Sequence, residues 1–186
     1  MNHVVLLYGK PSTGKLTIAK YIKEILASQG KVCHIFDNHF FNDIVFPYVN
    51  ITKYLGNICE SVYKIRKIFL DTVSKYSEMQ ETTFVFTNVL LDTEDDTESV
   101  NELKKFAKVM KADFIPVQIV AGDESILDWC SNKDRKTKQK LTDREAMRSF
   151  INKACFMDLE NSVVIKNTDW EKTVKFVEDF VKNNLC

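Results

Sequence analysis

Val4-Val5-Leu6-Leu7-Tyr8-Gly9-Lys10-Pro11-Ser12-Thr13-Gly14-Lys15-Leu16-Thr17 is the stretch that decides the fold. An apolar run stops at Gly9. A second glycine and a lysine follow after four intervening residues, and Thr17-Ile18-Ala19-Lys20-Tyr21-Ile22 continues as a helical pattern. The order strand, Gly-x-x-x-x-Gly-Lys, helix is the context in which this spacing means a phosphate-binding loop. Triphosphate oxygens need several donors at once. Glycine lets the backbone turn tightly and aim N–H groups inward. The helix that follows presents its unsatisfied N–H groups to the anion, and Lys15 reaches the β- and γ-phosphates. Gly9, Pro11, Ser12, Thr13, Gly14, Lys15, Leu16 and Thr17 are the expected nucleotide-binding residues, with Lys15 also catalytic. The bland alternative is a glycine-rich turn between strand and helix.

One position departs from the Walker A pattern. The residue after the lysine is ordinarily Ser or Thr, whose hydroxyl ligates Mg²⁺. Here it is Leu16, and the hydroxyl comes one residue later, at Thr17. The shift weakens a GTPase or motor reading more than a small-kinase reading. It makes Thr17 the candidate metal-facing hydroxyl.

Working outward, Lys31–Phe36 reads as a second strand, followed at once by Asp37-Asn38-His39. The aromatic-rich stretch 40–48 contains Pro47, which limits any helix. Residues 53–77 read as a long amphipathic helix, Thr82–Val89 as a third strand, 98–110 as a helix after an acidic loop, and 113–120 as a fourth strand. A short helix starts at Asp123, Thr142 caps a helix to Lys153, Ser162–Ile165 is a fifth strand, and 169–183 closes the chain as a helix with Trp170 inward. Strands alternating with helices imply a five-stranded parallel sheet with helices on both faces, a three-layer α/β/α arrangement. Ligands in such sheets bind beyond the C-terminal strand ends. That rule gathers Asp37 and His39, Thr87 and Asn88, and Asn167 and Thr168 into one crevice with the phosphate-binding loop.

The 186 residues fit one domain, and 45% apolar content with 13 Phe is ample for a core. With 26 basic and 26 acidic residues, the balanced charge argues against a nucleic-acid-coating protein. The five scattered cysteines form no Cys-x-x-Cys pair and fit reduced, cytoplasmic thiols. The apolar run at the N-terminus is too short for a membrane span.

Asp37 is the candidate second catalytic group, placed to orient or deprotonate an acceptor hydroxyl or to hold a Mg²⁺-bound water. A turn or helix cap is the competing reading. His39 reads as substrate-binding or as a packed histidine. Residues 131–141 carry Lys133, Arg135, Lys136, Lys138 and Lys140. They read either as a solvated loop or as a mobile lid supplying a cation to the transition state. Arg135 leads, because guanidinium grips phosphate bidentately; the assisting lysine is not resolved. Arg66 reads as an exposed helix cation or a substrate ligand. No acid ends the third strand, where Walker B would place one. Trp129 and Trp170 read as packing.

These residues together resemble the small P-loop kinases of the shikimate kinase, adenylate kinase and chloramphenicol phosphotransferase type. Gly-Lys-x-Thr resembles the adenylate kinase ending. The whole chain is similar to AAA-type small kinases that carry Gly-Lys-Leu-Thr, with counterparts to Asn38-His39, Phe86-Thr87-Asn88 and Lys140–Asp143. The resemblance implies the P-loop NTPase fold, ATP-dependent phosphorylation of a small-molecule hydroxyl with Mg²⁺, an acceptor segment over about 38–77, a lid over about 131–141, and Asn167-Thr168 near the adenine. A nucleoside monophosphate kinase and a non-catalytic nucleotide-binding module stay open as alternatives, as do monomer and homodimer.

Overall fold

The computed structural model describes residues 2–76, 82–132, 135 and 140–186. Five strands form one parallel sheet: β1 (Asn2–Tyr8), β2 (Val32–Asp37), β3 (Thr82–Asn88), β4 (Ala112–Val120) and β5 (Val163–Lys166), in spatial order β2-β3-β1-β4-β5. The strand leading into the Gly-Lys loop is therefore central. Its residues His3 to Tyr8 are all buried, as a parallel strand covered on both faces must be.

The alternation of β1 side chains feeds two cores. Val5 and Leu7 pack with α1 (Lys15–Ser28) and the last helix, α7 (Trp170–Asn184), through Ile18, Ile22, Val177 and Val181. Val4, Leu6 and Tyr8 face the other side, where α3 (Ile51–Val73) and α4 (Glu94–Val109) bring Leu70, Val100, Leu103 and Phe106. Between β2 and α3 lie a short α2 (His39–Val45) and a 3₁₀ turn at Phe46–Tyr48. Beyond β4, α5 (Asp123–Cys130) and α6 (Arg144–Lys153) pair through Ile126, Leu127, Met147 and Ile151 in a separate small cluster. That helix pair carries the basic segment between its members.

Register sets the crevice. Tyr8 pairs with Asn88 on one side and Gln118 on the other, and Asp37 pairs with Thr87. The ends of β1, β2 and β3 thus stop level. β2 and β3 lie to one side of β1 and β4 and β5 to the other, so the strand order switches sides about β1, where such sheets open a binding crevice.

Several boundaries differ from expectation, each for a local reason. Glu94, Asp95 and Asp96 are not in a loop. They occupy the first turn of α4 behind a Thr93 cap, where the helix dipole favours negative charge. Asp143, not Thr142, caps α6, its carboxylate accepting from the Ala146 N–H at 2.7 Å. Trp170 is not inward: as the first residue of α7 it is 46% exposed. The long helix expected to 77 ends at Val73, and its last expected position lies outside the described residues. Among the described residues, no helix is long and apolar enough to cross a membrane.

Candidate nucleotide and phosphoryl site

The loop between β1 and α1 owes its shape to three residues with positive φ, Gly9 (139°), Ser12 (61°) and Gly14 (87°). Two of them are glycine for steric reasons. A Cβ on Gly9 would stand 2.3 Å from the Ile119 carbonyl oxygen, and one on Gly14 would stand 2.4 Å from Asn167 Nδ2. The loop is drawn tight against β4 and β5. Lys15 Nζ folds along it, donating to the carbonyls of Lys10 (2.6 Å) and Gly9 (2.9 Å) and to Thr13 Oγ1 (3.3 Å). Burial, reinforced by the charges of Arg135 and Lys140, pushes its pKa from 10.5 down to about 7.

Asn167 reaches the loop from the end of β5. Its Nδ2 donates to the Thr13 carbonyl (3.0 Å), and Thr173 Oγ1 donates to its Oδ1 (3.1 Å). It therefore clamps the loop. Asn167 and Thr168 both line the cavity in front of it.

Asp37 ends β2 beside that cavity. Thr87 Oγ1 donates to its Oδ1 at 2.6 Å, and Lys140 Nζ lies 3.0 Å from its Oδ2. Burial alone would raise the carboxyl pKa, but the Thr87 hydroxyl, Lys140 and His39 outweigh it and hold the group below its ordinary value. His39 opens α2, and its Nδ1 is buried with no partner among the described residues. Burial and then the charge of Lys140 lower its pKa, against the pull of Asp37 and Asp43.

A cavity of about 840 Å³ joins these groups. It is lined by loop residues Pro11 to Thr17, by Asp37, His39, Thr87 and Asn88, by Asn167 and Thr168, and by Arg135 and Lys140. Among the described lining residues, four basic side chains (Lys15, Lys20, Arg135 and Lys140) face a single carboxylate, Asp37. Trp129, Phe150 and Trp170 line it as well. Trp170 is braced edge-on by Tyr21 at 6.0 Å, and the Tyr21 hydroxyl is tied to Glu178 at 2.7 Å.

The structure thus brings together residues far apart in the chain, with two exceptions to expectation. Arg66 is not an exposed cation and does not line the cavity. It is 8% exposed between α3 and α4, donating from Nη1 to Ser99 Oγ at 2.8 Å. With the Asn88 amide oriented so that its nitrogen donates to the Thr87 carbonyl, the Asn88 oxygen accepts from the same Nη1 at 3.3 Å. Arg66 lies behind Asn88, and burial lowers its pKa to about 10. The basic segment is the other case: 133, 134 and 136–139 lie outside the described residues. Of its five cations, Arg135 and Lys140 are described, and both reach the cavity.

Lys140 and Trp170 are the lining residues that sequence reasoning undervalued. A signal for each existed. Lys140 ends its basic run three residues before Asp143, the cap of α6. Trp170 follows the end of β5, on the side of the sheet where ligands bind.

A parallel sheet with a central strand, a Gly-Lys loop capping the next helix and a basic segment after β4 are the features of the P-loop NTPase fold. No protein-family model and no curated protein matches the sequence. Solved structures do match. APS kinase CysC of Mycobacterium tuberculosis, in complex with AMPPNP and APS, superposes with a TM-score of 0.62 at 11% identity, over 97% of this chain and 96% of that one. Kti12 of Chaetomium thermophilum, in complex with ADP-AlF3, gives 0.58 at 12% identity, over 98% and 99%. Shikimate kinase of Acinetobacter baumannii, in complex with shikimate, gives 0.51 at 15% identity, over 100% and 94%. The likeness is one of fold: this chain has the fold of the small P-loop kinases.

Proposed function

We propose that the protein is an ATP-dependent phosphotransferase acting on a small-molecule hydroxyl, built as one domain. The observation that carries this reading is the cavity itself, where, among the described residues, four basic side chains meet one carboxylate at the mouth of a Gly-Lys loop. A cluster of like charges is unfavourable alone and becomes favourable around a polyanion. The loop amides and Lys15 hold the triphosphate. Asp37 and His39 face the acceptor, with Thr87 and Asn88 shaping that end. Trp170 offers an exposed aromatic face to the nucleoside.

Among the described residues Asp37 has one partner on each oxygen, and with its lowered pKa it stays ionised and is a weak base. A loose transition state asks for little deprotonation beforehand. Asp37 therefore orients the acceptor hydroxyl and takes its proton late. For Mg²⁺, no group of three His, Cys, Asp or Glu gathers into a cage among the described residues. Thr17 and Asp37, both on the lining, are the oxygens that would hold Mg²⁺, a thin set that suits an ion held mainly by phosphates and water. When bound, it would neutralise phosphate charge. The five free cysteines support a reducing, cytoplasmic setting.

A second reading is a nucleotide-binding module without turnover. Leu16 in the hydroxyl position and Thr87-Asn88 in place of an acid at the end of β3 favour it. The deciding experiment holds ATP fixed and screens hydroxyl acceptors by thermal shift, then by phosphate transfer. Transfer to any acceptor that is lost in Lys15→Ala supports the kinase. ATP binding with no transfer across the screen supports the module.

A further inference from the structure

Lys140 stands where the basic segment meets α6. Its Nζ is 3.0 Å from Asp37 Oδ2, and the two side chains are only 13% and 15% exposed. Exposed ion pairs hold little. A desolvated pair resists separation, because either charge left alone is costly. Asp37 is itself fixed by Thr87 through its other oxygen. The end of the sheet thus determines where the Lys140 charge lies, although the two residues are 103 positions apart.

An ammonium has three N–H donors. Among the described residues, Asp37 takes one, which leaves two for the cavity that Lys140 lines. Its charge is felt at Lys15, across that cavity. Arg135 is engaged differently. Its Nη2 donates to the Leu141 carbonyl (3.2 Å), and its own carbonyl accepts from the Lys140 N–H (3.3 Å). Arg135 is thus tied to the backbone of Lys140 and Leu141.

We infer that Lys140 is the cation that acts on the transferring phosphoryl group, held in place by Asp37; the inference rests on the kinase reading above. In the step, the acceptor oxygen bonds to the γ-phosphorus while the bond from that phosphorus to the β–γ bridging oxygen breaks. The electron pair leaves with ADP, and the acceptor proton passes through Asp37 to water. Lys140 gives up no proton. Its remaining N–H groups neutralise charge on the phosphoryl oxygens, more strongly in transfer than in the bound nucleotide.

The test needs no acceptor. ADP binding to the full chain is measured by calorimetry in magnesium buffer, with and without aluminium fluoride, a mimic of the phosphoryl group in flight. The variants are Lys140→Met, Lys140→Arg and, as a control away from the cavity, Lys153→Met. Aluminium fluoride is expected to tighten ADP binding to the wild type and to Lys153→Met by about a hundredfold. Lys140→Met should bind ADP within about threefold of wild type and lose most of that gain, with Lys140→Arg recovering part of it. A structural role alone would weaken both complexes together. Full retention of the gain in Lys140→Met, or no gain in the wild type, overturns the inference. Should Lys140→Met not fold, Lys140→Arg decides by whether its gain falls below that of the wild type. Failure of the wild type to bind ADP or ATP at all would instead remove the nucleotide reading beneath it.

Discussion

Lys15 carries its charge at a cost. Its pKa falls from 10.5 to about 7 in the fold. Between those values the unfolded chain binds a proton that the folded one does not, so this group makes stability rise with pH across that window. A bound triphosphate reverses the shift by favouring the ammonium. ATP binding at pH 8 is therefore expected to take up a proton, seen as a binding enthalpy that depends on the buffer's ionisation enthalpy. Lys15→Met should abolish both the uptake and most of the affinity; unchanged buffer dependence in that variant would assign the proton elsewhere. Gly14 makes a second residue-scale case. Its φ of 87° and the Asn167 amide 2.4 Å from a built Cβ leave alanine no room. Gly14→Ala should lose about 1–3 kcal/mol in urea denaturation, and Asn167 must give way for the loop to survive.

Among the elements, the packing of α3 against α4 is unusual for what it buries. Arg66 Nε and Nη2 have no partner among the described residues, and a desolvated guanidinium is expensive. Arg66→Met keeps the apolar stem and removes the charge, so it is expected to raise urea stability by about 1 kcal/mol; a loss of similar size would mean the Ser99 and Asn88 bonds outweigh the burial. Thr93→Ala removes the cap of α4, where Thr93 Oγ1 accepts from the Asp96 N–H, and should cost about 1 kcal/mol. These elements also mark how far a chain can be read by pattern. The sheet and the Gly-Lys loop are legible because their information is local: strand apolarity, glycine spacing, helical period. Arg66 is not, because the α3 pattern cannot say that Ser99 of another helix waits opposite. Trp170 keeps the helical period of α7, yet at its first turn the ring meets Tyr21 edge-on and stays half in water. The pairing of Asp37 with Lys140 is legible from neither end, since only the folded sheet brings the α6 side to β2.

For the whole molecule, the separate cores set how stability is shared. α5 and α6 rest on a small cluster of their own, while β1 sits between two large ones. ATP at about a hundred times its Kd should add about 2.7 kcal/mol, which for a chain of this size is a rise in Tm of about 5–10 °C. The same ATP should leave the Tm of Lys15→Met nearly where it was. A shift retained in full by that variant would place the nucleotide outside the loop.

The Asn167 clamp has a consequence in time. The loop it holds leaves the ribosome well ahead of its clamp: the amide that grips the Thr13 carbonyl comes 154 residues later. Gly9 waits similarly for Ile119 of β4. Until those strands have been made and paired, residues 9–15 have the right letters and no fixed shape. The loop becomes a phosphate site only after Asn167 has been made, so a chain cut short of that residue is expected to lack a formed site for nucleotide.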